Sequence, residues 1–217
     1  MAADGASYRW LHFDFADPAL SDWCMAHLPP LASRTLLAQR TRPRADVHDD
    51  GLVLTLRGIN LNDGQEVEDM VSLRLWTTQG LVITVRKQRI FALDDVKDQI
   101  LNGDAPDTPV RLIARITERL VDRIETLSLD LEDRAETMED AGYDKQTDPP
   151  ANLWRTRQQV ITLRRHIGPL CEALYDLAQI ETPLIAPAFR SRLRHTASRA
   201  KRSVDEVHEV ADRLTAL

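Results

Sequence analysis

Along the first half of the chain, short apolar runs alternate with turn residues; along the second half, apolar residues recur every three or four positions over long stretches. The first pattern has the period-two, β-branched character of strands, and the second the period of helices that bury one face. "YRWLHFDF" reads as a strand, and "DPALSDWCMAHL" as a short helix with Asp17 as cap and Pro18 at the first helical position. A second short helix is expected from Leu31 to Gln39, ending before Pro43, which cannot continue it. "RADVH", "GLVLTLRGI", "DMVSLRLWT" and "LVITVRK" are further strands, separated by "DDG", "NLNDGQEVE" and "TQG". "LDDVKDQILNG" predicts another short helix with Gly103 near its end.

After "GDAPDTP" the pattern changes. Asp107 or Thr108 can cap a helix that Pro109 starts, and its apolar ladder is Ile113, Ile116, Leu120, Ile124, Leu127, Leu131. The loop "EDAGYDKQTDPPAN" is expected to close it. A second ladder, Leu153, Val160, Leu163, Ile167, Leu170, Leu174, Leu177, has Thr156 in one heptad slot and reads as a coiled-coil-like seam. Gly168-Pro169 inside it predicts a local kink. The third ladder, Phe189, Leu193, Ala197, Ala200, Val204, Val207, Ala211, Leu214, runs to Leu217 with no residue to stop it. At ~1.5 Å per residue it spans roughly 43 Å, and a helix still in full amphipathic stride leads to the expectation of a chain cut from a longer one.

Composition narrows the function classes. The 217 residues can bury a sizeable core, and the net charge of −6 argues against a general nucleic-acid binder, which needs a basic face. Cys24 and Cys171 have neither CxxC spacing nor a partner pattern, so a disulfide scaffold or cysteine zinc site is not expected. No signal peptide opens the sequence, and no stretch approaches the ~18 apolar residues that cross a bilayer. Charge is segregated: Asp122 to Asp148 holds ten acidic and three basic residues, and Arg190 to Arg202 holds six basic residues and no acid. Solvated helix faces account for both clusters; the sharper reading is docking of acid against base between subunits, or a cation-attracting surface.

Enzyme motifs are missing: there is no GxSxG, Walker loop, GxGxxG or HExxH, and none of the six histidines sits beside a plausible nucleophile. Asp46, His48 and Asp50 share a side if "DVHDD" is a strand, but the run enters a turn, and a solvated turn is favoured over a zinc site. The acidic stretch from Asn60 to Asp69 lacks the ligand register of a calcium loop, and Asn62-Asp63-Gly64 favours a hairpin tip. Asp205, His208, Glu209 and Asp212 lie three and four residues apart on the last helix. They are the candidate metal ligands, above all if copies of the helix converge on an axis; the plainer reading is a surface helix with ordinary charge pairs.

From about Trp10 onward the chain resembles the cytoplasmic part of CorA-type divalent-cation transporters. The resemblance rests on "RPRADVHDDGLVLTLRGINLNDGQEVEDMVSLRLWTTQGLVITVRK" followed by helices carrying "LRRHIGPLCEAL" and "TPLIAPAFRSRLRHTASRAKRSVDEVHEVADRL". "RGINLN…EDMVSLRLW" is most similar to the ZntB-like, zinc-transporting branch. The resemblance implies an α+β fold: an αβα sandwich with a mixed or antiparallel sheet over 1–105, then long antiparallel coiled-coil-like helices over 106–217. The last of these would be the start of a pore-lining helix. It further implies a homopentamer in the full-length protein and zinc or magnesium as transported or regulatory cation. No other cofactor, no catalytic residue and no nucleic-acid partner is expected. The place would be the cytoplasmic face of the inner membrane, reached only through transmembrane helices that this chain lacks, as it lacks the family's Gly-Met-Asn signature. A cytosolic coiled-coil scaffold, docking an acidic partner on "RSRLRHTASRAKR", is the alternative.

Overall fold

The computed structural model describes residues 8–140 and 152–216. Five strands, β1 (Arg9–Asp14), β2 (Arg44–His48), β3 (Gly51–Gly58), β4 (Val71–Thr77) and β5 (Leu81–Arg86), form one sheet in the order β1-β5-β4-β3-β2. The edge pair β1/β5 is parallel and the other pairs are antiparallel, so the sheet is mixed. Helices α1 (Leu20–His27) and α2 (Pro30–Leu36) follow β1, and α3 (Phe91–Leu101) follows β5. Three long helices complete the chain: α4 (Pro109–Asp140), α5 (Leu153–Gln179) and α6 (Pro187–Ala216).

Both faces of the sheet are covered, which is why β3 and β5 carry apolar residues on both faces, whereas β4 alternates through Ser72 and Arg74. On one face Val53, Trp76, Ile83 and Val85 pack against Leu20 and Cys24 of α1 and Ala32 and Leu36 of α2. On the other, Leu52, Leu54, Leu56, Leu73, Leu75 and Val82 join a core that continues through α3 and α4 to Leu214 on α6. The sheet-bearing and helical parts therefore share one hydrophobic core.

Local chemistry sets the connections. Asp49 (φ 52°) and Asp50 link β2 to β3, and Gly51 follows because a Cβ there would lie 1.9 Å from the Trp76 ring. The acidic stretch between β3 and β4 is a pair of turns. Gln65 N–H donates to Asn62 O at 3.1 Å, with Gly64 at φ 72°, and Asp69 N–H donates to Glu66 O. Asn60 is buried and holds this loop, donating to Asp69 O and accepting from the Asn62 amide group at 2.7 Å. Helix α3 ends in a Schellman motif, with Asp104 N–H on Gln99 O, Gly103 N–H on Ile100 O and Gly103 at φ 89°.

Two expectations change in detail. Helix α1 starts at Leu20, not at Pro18; Asp17 Oδ1 accepts from Ala19 N–H in a turn that precedes the helix. Helix α2 ends at Leu36, three residues short of Gln39, because the backbone after it turns toward the sheet and Ala38 O becomes an acceptor for Arg74. Helix α5 continues past Gly168 and Pro169 to Gln179. The loop expected to close α4 falls largely on 141–151, and the last expected helical position is Leu217; both lie outside the described residues.

Candidate functional site

Helix α6 carries the candidate metal ligands, and its orientation is set by its neighbours. It packs along both α4 and α5. Leu193, Ala197, Ala200, Val204, Val207 and Leu214 are buried as the ladder predicts, and Thr196, Ser203 and Val210 widen the buried face. Small residues at 197, 200 and 203 allow close approach, and Cys171 Sγ on α5 lies 3.9 Å from Ala197 O. Near the other end of α5, Arg157 Nε donates to Leu214 O at 2.7 Å, satisfying one of the carbonyls that the last turn of α6 leaves without a helical donor. These contacts run α5 antiparallel to α6.

Helix α4 runs parallel to α6, and a ladder of charges locks their register. Glu118, Glu125, Glu132 and Glu139 recur every seven residues on α4; Arg192, Arg199, Glu206 and Arg213 recur every seven on α6. Arg192 Nη2 donates to Glu118 Oε2 at 2.7 Å, and Arg199 Nε donates to Glu125 Oε1 at 2.9 Å. Arg199 also donates to Asp122 Oδ1 at 2.7 Å, and Arg213 Nε donates to Glu139 Oε1 at 2.9 Å. The paired guanidiniums are pushed above their ordinary pKa by the hydrogen-bonded carboxylates, and Glu139 is held below its own by Arg213. The third rung has like charges. Burial, and then the Glu132 carboxylate, raise the pKa of Glu206.

This ladder gives the two charge clusters their role. Glu118, Asp122, Glu125 and Glu139 of α4 dock on Arg192, Arg199 and Arg213 of α6 inside one chain. Arg190 is likewise paired with Glu181, and Lys201 with Asp205. The basic stretch that the scaffold alternative needs for an acidic partner is thus largely engaged. Sequence reasoning missed the ladder, although its signal, glutamates and arginines repeating at period seven, is readable in the chain.

The four candidate ligands lie on the side of α6 away from this packing. Asp205, Glu209 and Asp212 are exposed and His208 is half-buried. Asp205 pairs with Lys201 one turn earlier. Among the described residues no group of three or more His, Cys, Asp or Glu is arranged to hold a metal ion. One chain therefore presents the four as an outward stripe and gathers no coordination sphere from them. Asp46 and His48 do not gather one either: Arg44 pairs with Asp46, and His48 Nε2 lies 3.2 Å from Asp49.

Comparison with known proteins places this architecture. The sequence profile described as "CorA-like Mg2+ transporter protein" matches residues 5–217. The chain is 30% identical over 200 residues to the zinc transport protein ZntB of Klebsiella pneumoniae, covering 91% of this chain and 61% of that protein. The structure of the full-length CmaX protein superposes with a TM-score of 0.90 at 29% identity, covering 95% of this chain and 65% of that one. The ZntB cytoplasmic domain from Vibrio parahaemolyticus superposes with a TM-score of 0.86 at 24% identity, covering 97% of this chain and 86% of that one. The chain thus spans about three-fifths of the curated relatives it matches. Among the described residues no helix is long and apolar enough to cross a membrane.

Proposed function

The chain belongs to the CorA-like Mg2+ transporter family, and from that premise we propose that it is the cytoplasmic domain of a homo-oligomeric, pentameric divalent-cation transporter of the inner membrane. The observation that carries the proposal is the 30% identity to a zinc transport protein across 91% of the chain. The domain supplies no catalysis. Its sandwich braces the long helices α4, α5 and α6, and α6 leads toward the membrane as the wall of the ion path.

Zinc is the proposed cargo, with magnesium the other candidate. Asp205, His208, Glu209 and Asp212 form the outward stripe of α6, so copies arranged around an axis would turn several such stripes toward one another. Carboxylates there raise the local concentration of hydrated cations, and coordination would draw ligands from more than one copy.

Two measurements test this. Radioactive zinc and magnesium uptake by proteoliposomes containing the full-length protein is expected to exceed that of empty liposomes; equal uptake for both ions overturns the transporter proposal. Titration calorimetry with zinc on the full-length protein is expected to lose heat in the Asp205→Asn, Glu209→Gln, Asp212→Asn triple variant. Unchanged titration removes the site assignment and leaves the transport proposal standing.

A further inference from the structure

The sheet face that meets α1 and α2 changes character along its strands. At one end Val53, Trp76, Ile83 and Val85 lie under the two short helices. Toward the other end the same face carries Arg57 on β3, Ser72 and Arg74 on β4, and Lys87 just past β5. Arg57 is paired with Ser72 across the ladder, and Thr55 with Arg74, so the two arginines are diagonal neighbours. The connection from α2 to β2 passes beside them and adds Arg40 and Arg42. Between these residues lies an open cleft of about 700 Å³ with five basic side chains and, among the described residues, no aspartate or glutamate in its lining.

The two strand arginines are tethered through neutral groups. Arg57 donates to Met70 O at 2.9 Å and to Thr41 O at 3.0 Å; Arg74 donates twice to Ala38 O, the shorter bond at 2.8 Å. Lys87 Nζ donates to Gln39 O and to Gln39 Oε1. Phe15 stacks under both Arg74 and Lys87, its centroid 4.8 Å from each. Carbonyls and a ring hold these side chains in place but leave their charge uncompensated. Arg74 is only 1% exposed, and its Nη1 has no hydrogen-bond partner; neither does Arg57 Nε. Burial, and the Arg57 charge beside it, lower the Arg74 pKa to about 10. The ladder arginines of α6 have carboxylate partners; among the described residues these have none.

We propose that this cleft is a binding site for a small polyphosphate anion, free or carried on a nucleotide. Its size is that of a small-ligand pocket. Planar guanidinium forks match pairs of phosphoryl oxygens, and a doubly charged group offsets several cations at once. Exposed Arg40, Arg42 and Lys87 would meet the ligand, while Arg57 and Arg74 supply field from below. The hydrogen-bonded hydroxyls of Thr41 and Ser72, 2.6 Å apart, also line the cleft and offer neutral donors.

The test is titration calorimetry of this chain with pyrophosphate, with ATP in the absence of magnesium, and with sulfate, all at matched ionic strength. Saturable one-to-one binding of pyrophosphate, at least tenfold tighter than sulfate, is expected. The Arg40→Gln, Arg42→Gln variant, which touches none of the tethers of Arg57 and Arg74, should weaken it at least tenfold with an unchanged melting temperature. ATP binding tighter than pyrophosphate identifies a nucleotide as the source; equal affinity identifies the free polyphosphate. Absence of saturable pyrophosphate binding, or binding that the double variant leaves intact, overturns the proposal. A double variant whose only effect is a change of oligomeric state in sedimentation overturns it too, and makes the cleft a surface for an acidic segment of a second copy.

Discussion

Two regions of this protein are rich in arginine and treat it in opposite ways. Along α4 and α6, Arg192, Arg199 and Arg213 each meet a glutamate one interface away, in a repeat of seven residues. At the end of the sheet, Arg57 and Arg74 donate only to backbone carbonyls, and among the described residues the cleft above them has no acid. Neither arrangement is a source of large net stability. Half-exposed ion pairs contribute about 0–1 kcal/mol each, and an uncompensated buried guanidinium opposes folding. Packing holds both regions together, and the charges decide register in one and leave an unfilled field in the other.

The largest expected effect tests that division directly. Leu120→Ala removes a side chain 1% exposed in the core beneath the ladder, and should lower the unfolding free energy by about 2–5 kcal/mol in a denaturant titration. Arg74→Ala comes next: it leaves Ala38 O without its donor and should lose roughly 1–3 kcal/mol. A gain in stability instead would mean that relief of the unpaired charge outweighs the tether. Arg199→Ala should lose only about 1 kcal/mol, and the loss should shrink in 1 M salt, where the screening length is about 3 Å. Glu206→Arg completes the third rung and should raise stability by up to ~1 kcal/mol; a lower melting temperature would show that Glu132 and Glu206 are not opposed in solution.

Acidification should act with opposite signs on the third rung of the ladder and on His12 of β1, which bonds to Thr84 outside the cleft. Burial, then Lys97 and Arg86, push His12 down to about 4 from its ordinary 6.5. The unfolded chain therefore takes up this proton first, and stability falls as pH drops from about 6.5 to about 4. Glu206 is raised, so the folded chain binds that proton first; its contribution is present at low pH and is lost as pH rises through its folded value. Melts across this range should show a smaller acid loss in His12→Gln and a larger one in Glu206→Gln, each against the parent chain. Parallel curves for all three would dismiss both assignments.

Much of the fold was legible in the chain because its signals are local. The four strands after Pro43 match their apolar runs within a residue or two, since β-branched runs bounded by Asp-Gly and Asn-Asp-Gly turns leave little freedom. The starts of α1 and α3 were less legible, because no side chain caps either helix. The resemblance to the CorA family rested on the order and spacing of several short segments, and the match over 5–217 bears it out. The candidate site was only half legible: spacing put Asp205, His208, Glu209 and Asp212 on one stripe of α6, and packing decided that the stripe faces away from α4 and α5.

The sequence by itself determined the element types, the turns and the family, because periodicity, turn chemistry and segment order are properties of neighbouring residues. It also contained the heptad charges, but not their partner: Glu118 and Arg192 are 74 positions apart, and only the parallel docking of α4 on α6 makes them a rung. The tertiary structure alone decided that Arg57 and Arg74 line one cleft with Arg40, Arg42 and Lys87, and that no carboxylate of the described residues joins them. Charge balance is set by distances in space, and along the chain these residues are spread from position 40 to position 87.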